Sequence, residues 1–228
     1  MTDRWVGFRA RECKKKMSAD LRREQIVGAL LSLISERSPG EISTQLIADT
    51  AGVSQATIFK HFSTKADLWA ATAHWLGENL DKIWIRSHAE VAPDKALLVL
   101  EEIFLELIEF FVRYPAVVRI MMSDCLRYEF SDVLKISQKL DRRHERELLW
   151  LLRLAIKSKA IDRELDCHAA STLFFCCLRG LGFQIATSNR NLNFRREASH
   201  VLWLYFRAIG RRRDQGGRQR SGARLTVL

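Results

Sequence analysis

Apolar residues recur at steps of three and four along nearly the whole span from Ser18 to Gly210, and no other feature constrains the fold as strongly. Ile26, Leu30, Leu33 and Ile34 trace one apolar face, which stops at Pro39-Gly40. Leu97, Leu100, Ile103, Phe104, Leu107, Ile108 and Phe111 trace a second after Pro93. Leu148, Leu149, Leu151, Leu152, Leu154 and Ile156 trace a third. All three prolines fall where one such pattern ends and another begins, as expected of residues that punctuate helices. Period-2 alternation over several residues is essentially absent. The expected fold is all-α.

Composition narrows the class further. A chain of 228 residues with 47% apolar and 28% charged side chains can bury a sizeable core and is not a disordered polymer. Only 3 Pro and 11 Gly argue against a turn-rich β fold. The longest apolar stretch, Ser171 to Thr187, contains Arg179 and Gln184 and reads as a buried helix instead of a membrane span. Met1 to Met17 is basic but lacks the apolar centre of a signal peptide. Cys13, Cys125, Cys167, Cys176 and Cys177 are odd in number and include no CxxC spacing. Neither a disulfide framework nor a zinc site is expected, and a reducing cytoplasm fits best.

The net charge of +10 is unevenly placed. Residues 1–65 carry 11 basic and 7 acidic side chains, residues 66–209 carry 20 and 19, and residues 210–228 carry 6 and 1. Basic ends beside a near-neutral middle suit a chain whose one part meets a polyanion while another does something else; solvated tails are the plainer reading. Arg4, Arg9, Arg11, Lys14, Lys15 and Lys16 lie in a stretch with little periodicity, expected to be an arm. Such an arm could follow a DNA backbone, enter a minor groove, or make no contact. The run Arg211-Arg212-Arg213, then Gly216-Gly217 and Gly222, cannot build a core and is expected to be disordered.

One segment points to chemistry. From Ser43 to Phe62 the chain reads STQLIADTAGVSQATIFKHF. Ser43 is suited to cap a short helix that buries Leu46 or Ile47, Ala48 and Ala51. Gly52 falls where the chain must turn with positive φ, Val53 plugs the turn, and Ser54 caps the next helix. That helix buries Ile58 and Phe62 and leaves Gln55, Ala56, Thr57, Phe59, Lys60 and His61 on or near its outer face. Helix, glycine turn, capped helix is the helix-turn-helix arrangement, whose second helix enters the DNA major groove. Gln reads adenine through paired donor and acceptor atoms, and the methyls of Ala and Thr pack on the thymine methyl. Lys60, His61 and Lys65 lie where phosphates flank the groove, and Ser63 is placed to cap a further helix.

Ile47-Ala48, Ala51-Gly52-Val53-Ser54, Ile58-Phe59, His61-Phe62, Lys65 and Leu68 resemble the DNA-binding domain of the TetR family of bacterial transcription regulators. Arg23, Ile26, Ala29, Leu33 and Ile34 are similar to its first helix, so the specific likeness runs from about Arg23 to Leu68. Two departures stand out. Phe59 occupies a position that is usually Tyr, so a hydroxyl contact to phosphate is lost, and the connection Ser38-Pro39-Gly40-Glu41 is slightly longer than usual. The resemblance implies a homodimer with a three-helix reading head and a larger helical domain for ligand and dimer contacts. The expected organisation is an arm at 1–17, a DNA-binding domain at 18–66, a regulatory and dimerisation domain at 67–209 and a tail at 210–228. The residues expected to meet DNA are Arg23, Ser43, Thr44, Ser54, Gln55, Ala56, Thr57, Phe59, Lys60, His61 and Lys65.

Between Ala66 and Arg190 large apolar groups abound, including Trp69, Trp75, Trp84, Phe104, Phe110, Phe111, Met121, Met122 and Trp150. By resemblance they enclose a small-molecule pocket into which His74, His88, Asp124, Cys125 or Arg119 could point; the alternative is that they simply fill a core. The stretches at about 166–187 and 198–209 resemble the pair forming the family's dimer interface; the alternative is that both belong to the protomer's own core. Gly180-Leu181-Gly182 lacks the strand and third glycine of a dinucleotide fingerprint, and His144-Glu145 lacks the second His of a zinc-protease helix. Cys176-Cys177 read as filler in an apolar helix, with a redox sensor as the alternative. No catalytic constellation is visible, so an enzyme is not expected, and neither a cofactor nor a metal is expected. The sequence therefore predicts a cytoplasmic, homodimeric regulator of double-stranded DNA, most simply a repressor answering to a small-molecule effector, with no membrane partner. A DNA-bound structural or interaction protein of the nucleoid-occlusion kind is the alternative.

Overall fold

The computed structural model describes residues 18–86, 91–123, 126, 129–187 and 193–210. The expected arm at 1–17, the tail beyond Gly210, residues 188–192, and His88, Asp124 and Cys125 lie outside the described residues. Among the described residues the helices are α1 (Ala19–Glu36), α2 (Thr44–Ala51), α3 (Gln55–His61), α4 (Lys65–Arg86), α5 (Ala96–Arg113), α6 (Ala116–Met121), α7 (Ser131–Lys157), α8 (Cys167–Thr187) and α9 (Phe194–Ile209). No strand is present among them; a single antiparallel bridge joins Ile161 to Gly210. The all-α expectation holds.

Prolines and caps set the helix ends. Ser18 Oγ accepts the Leu21 amide at the start of α1. The helix stops at Glu36 because Pro39 forces the preceding backbone into the extended region, and Pro39–Glu41 then form a 3-10 turn. Pro93–Lys95 make a similar turn into α5. α9 begins at Phe194, earlier than the expected 198, because Asn193 Oδ1 accepts the Arg196 amide and starts the helix before its first buried residue, Ala198.

The head is α1 to α3, closed over Ile26, Leu30, Ile34, Ile42, Ile47, Ala48, Ile58 and Phe62, all nearly or wholly buried. α4 begins beside the head and runs into the body, carrying buried Leu68, Trp69, Leu76, Leu80 and Trp84. α5 is central to the body. Its Phe104 meets the edge of Phe174 on α8 at 5.2 Å, and Phe174 meets Tyr205 on α9 at 5.7 Å. The Tyr205 hydroxyl donates to the Ala170 carbonyl at 3.1 Å, joining α9 to α8, and burial raises its pKa so far that it stays a donor. Truncating a core aromatic such as Phe104 to alanine would cost about 3–5 kcal/mol.

α8 is buried along one side only. It is long and apolar enough to cross a membrane by length and composition alone, yet its inner side packs against α5, α6, α7 and α9. Its outer side, with Leu173, Cys176, Gly180 and Phe183, stays exposed, as do Trp203 and Leu204 of α9.

α4 and α7 are joined closely. A Cβ at Gly77 would stand 2.8 Å from a δ-methyl of Leu140, so a larger residue there would require that methyl to move. Asp81 of α4 accepts from Arg143 at 2.7 Å and bonds His144 Nε2 at 3.0 Å, and the His144 ring stacks on Trp84 at 5.2 Å. Burial holds the His144 pKa below its usual value despite the Asp81 carboxylate.

Candidate nucleic-acid interface

Ser43 Oγ accepts the Leu46 amide and opens α2, which buries Ile47, Ala48 and Ala51 while Leu46 stays half-covered. The face is decided by Ile47. Gly52 ends the helix at φ 65°, ψ 35°, the left-handed conformation that costs glycine little. The Gly52 and Val53 amides return to the Ala48 and Asp49 carbonyls, so the turn leaves few backbone groups unpaired. Ser54 Oγ accepts the Thr57 amide and lies 2.8 Å from the Thr57 hydroxyl. Those bonds set the direction in which α3 leaves.

α3 buries Ile58, and Phe62 behind it seals the head core. Gln55, Ala56, Phe59 and Lys60 are exposed, Phe59 at 46%. Thr57 and His61 are half-buried, and the Thr57 hydroxyl has a neighbour in Ser54. Ser43 and Ser54 act as caps with exposed side chains, and Thr44 is half-buried at the first turn of α2. The four exposed residues of α3 form one short outward face with an amide, a methyl, an aromatic ring and an ammonium. Such a face fits base edges flanked by phosphate.

Three residues depart from their expected surroundings. Arg23 donates through Nη1 to the His61 carbonyl at 2.5 Å, and its guanidinium lies 4.4 Å over the Phe62 ring. It clamps the C-terminus of α3, where a cation also suits the helix dipole. Lys65 is half-buried with its ammonium 6.0 Å from the Phe130 ring. The helix cap expected at Ser63 belongs to Thr64: its hydroxyl accepts the Asp67 amide, and the Asp67 carboxylate accepts the Thr64 amide in return. Asp67, three residues on, selects Thr64 because only that spacing makes the reciprocal pair.

One contact escaped the sequence reading. Gln25 of α1 donates to the Ala51 carbonyl at 2.7 Å and accepts from Arg22 at the same distance. With Arg23 it makes α1 a brace across the C-termini of both α2 and α3. Its only sequence signal is a polar residue beside the apolar stripe of α1, which many surface helices share. Of the expected pocket residues, His74 is exposed in an open groove beside Arg23 and Asp67, and Arg119 donates to the Ala186 carbonyl at 3.0 Å, tying α6 to α8.

Residues 26–72 match the family described as bacterial regulatory proteins, tetR family. The nucleoid occlusion factor SlmA of Alteromonas mediterranea is 33% identical over 134 residues, covering 58% of this chain and 67% of that protein. SlmA of Haemophilus ducreyi is 27% identical over 128 residues, covering 55% and 62%. The chain thus spans about two thirds or less of the length of these curated relatives. The ketosteroid transcriptional regulator KstR2 of Mycobacterium tuberculosis superposes with a TM-score of 0.70 at 15% identity, over 84% of this chain and 96% of that one. The fatty acid degradation regulator FadR of Bacillus halodurans superposes at 0.67 and 18% identity, over 84% and 97%. These likenesses concern the fold. Head, turn and sequence match agree with one another, and the chain belongs to the TetR family of bacterial DNA-binding regulatory proteins.

Proposed function

We propose that the protein is a sequence-specific transcriptional regulator that binds a palindromic operator as a homodimer and represses by occupying it. The observation that carries this reading is the exposed face Gln55, Ala56, Phe59 and Lys60 on a helix fixed by a glycine turn and by α1. A DNA-reading domain at 18–66 and a regulatory domain at 67–209 accord with a head and body joined through α4. The exposed apolar groups of α8 and α9, Leu173, Phe183, Trp203 and Leu204, supply a face for a second copy. A two-fold axis there would set two α3 helices about 34–36 Å apart, one duplex turn.

The body also offers a cavity of about 480 Å³, within the range that small ligands occupy. An effector seated there would release DNA by favouring a dimer whose recognition helices are wrongly spaced. In this reading the protein works in the cytoplasm with no cofactor, metal or catalysis. The test is fluorescence anisotropy with duplexes from the DNA flanking its own gene, in the presence of competitor DNA. Binding confined to a palindrome supports the reading, and equal affinity for scrambled duplexes refutes it.

A second reading has its own support. The SlmA relatives match beyond the head, over more than half of this chain, and their name describes a nucleoid occlusion factor. A protein of that kind would occupy many chromosomal sites and recruit a protein partner. A genome-wide occupancy map separates the two: one or a few promoters for the repressor, dispersed sites for the occlusion factor.

A further inference from the structure

The head contains two phenylalanines, Phe59 and Phe62, and they have opposite surroundings. Phe62 closes the head core at 2% exposure, with the Arg23 guanidinium 4.4 Å over its ring. Phe59, three residues earlier on α3, is 46% exposed. Apart from Leu21 on α1, it is the only large apolar group that the head leaves to water among the described residues.

Helical spacing sets its neighbours. Residues three and four apart lie side by side on a helix, so Phe59 stands next to Gln55 and Ala56, and Lys60 lies one turn beyond Ala56. Gln55 and Ala56 belong to the first turn of α3, the part of such a helix that meets base edges. Lys60 belongs to the last turn and carries the ammonium suited to a phosphate. Phe59 is placed between the two. Ala56 offers only a methyl group, which is too small to cover the ring.

A pyrimidine methyl group is found at that same depth in a duplex. The C5 position lies on the major-groove edge, on the side of the base nearest its own backbone. Thymine and 5-methylcytosine carry a methyl group there, whereas uracil and cytosine carry only hydrogen. A phenyl ring has no donor or acceptor with which to hold a phosphate; what it offers is apolar area. Contact with a methyl group takes apolar surface of both partners out of water, and a bare polar base edge gives no such gain.

We propose that Phe59 is a specificity-determining residue that packs on the C5-methyl group of thymine, or of 5-methylcytosine, in each half-site. The proposal deepens the DNA-reading role given above and rests on it. Gln55 selects through hydrogen bonds, Phe59 selects through a methyl group, and Lys60 fixes the position of α3 on the backbone. A cytosine at the position that meets Phe59 becomes a better partner when its C5 is methylated.

The test starts from a duplex that the full chain enriches out of a random-sequence library. Anisotropy then compares that duplex with versions carrying deoxyuridine in place of one thymidine at a time. Removing the methyl group that meets Phe59 should weaken binding about fourfold, the effect of about one buried methylene. In Phe59→Ala the same replacement should change nothing, while thymines elsewhere keep the losses they show with the wild type. Phe59→Tyr retains the ring and should retain the fourfold loss. Cytosine at that position should bind less well, and 5-methylcytosine should recover about fourfold with the wild type and nothing with Phe59→Ala. Should Phe59→Ala fail to fold, Phe59→Leu against Phe59→Tyr makes the same comparison, with the smaller loss expected for leucine. Uridine losses that are identical with and without the ring overturn the proposal; a ring resting on deoxyribose gives that result, with every duplex weakened alike. Enrichment of no sequence overturns the operator reading and this proposal with it. An enriched sequence with no Phe59-dependent thymine overturns this proposal alone.

Discussion

Gly52 offers the sharpest test of how α3 is held. It has φ 65°, and a Cβ built on it meets nothing within 4 Å. Substitution therefore costs only what the left-handed backbone costs an L-residue, about 1–2 kcal/mol, with no clash to add. Reduced freedom of the unfolded chain returns about 0.4–1 kcal/mol of that for alanine, so Gly52→Ala should lose about 1 kcal/mol. Asparagine tolerates this conformation better and should lose roughly half as much; β-branched valine should lose about 2 kcal/mol. For a chain of this size 1 kcal/mol corresponds to about 2–4 °C in Tm. Thermal unfolding followed by far-UV circular dichroism should rank the proteins Gly above Asn above Ala above Val. Relieving the strain would also tilt α3, because the Val53 amide bond to Ala48 belongs to the same turn. Gly52→Val should therefore weaken DNA binding at temperatures where it is fully folded. An alanine variant as stable as the wild type, or asparagine below alanine, would refute the reasoning.

Lys60→Ala should flatten the dependence of DNA affinity on log salt by about one unit per subunit, whereas Gln55→Ala should change sequence preference and leave that slope alone; anisotropy titrations across a salt series distinguish them. Gly180 faces open space in the protomer, so Gly180→Leu should keep or slightly raise helix stability, by about 0.5–1 kcal/mol. If the outer side of α8 meets a second copy, the same variant shifts sedimentation velocity from dimer to monomer; a persistent dimer places the interface elsewhere. His144 has a folded-state pKa below 6.5, so the unfolded chain takes up the proton first as pH falls. Its stabilising contribution is complete above pH 6.5 and declines below it. The gap in urea midpoint between the wild type and His144→Gln should accordingly narrow from pH 8 to pH 5, and a widening gap would show that the folded protein holds the proton more tightly.

The head was legible because its determinants are local. Ser43, Gly52, Ser54 and the spacing of Ile47, Ala48, Ile58 and Phe62 each act within one or two turns of helix, so short-range rules suffice. α7 was legible only in its second half. Its first half carries few apolar residues, Val133, Leu134, Ile136 and Leu140, because that half packs along one side only and leaves the rest to water. The brace from α1 was invisible for another reason. Arg23 and His61 are 38 positions apart, and Gln25 and Ala51 are 26 apart. An arginine that clamps a carbonyl looks, along the chain, like an arginine that meets a phosphate.

Helical class, the glycine turn and the identity of the outward face of α3 follow from the order of residues, since backbone conformation and amphipathic period are set by near neighbours. Tertiary structure alone decided which charges remain outward and that α8 keeps an apolar side uncovered. Those outcomes depend on how helices distant in sequence pack against each other, and packing is a property of the assembled chain.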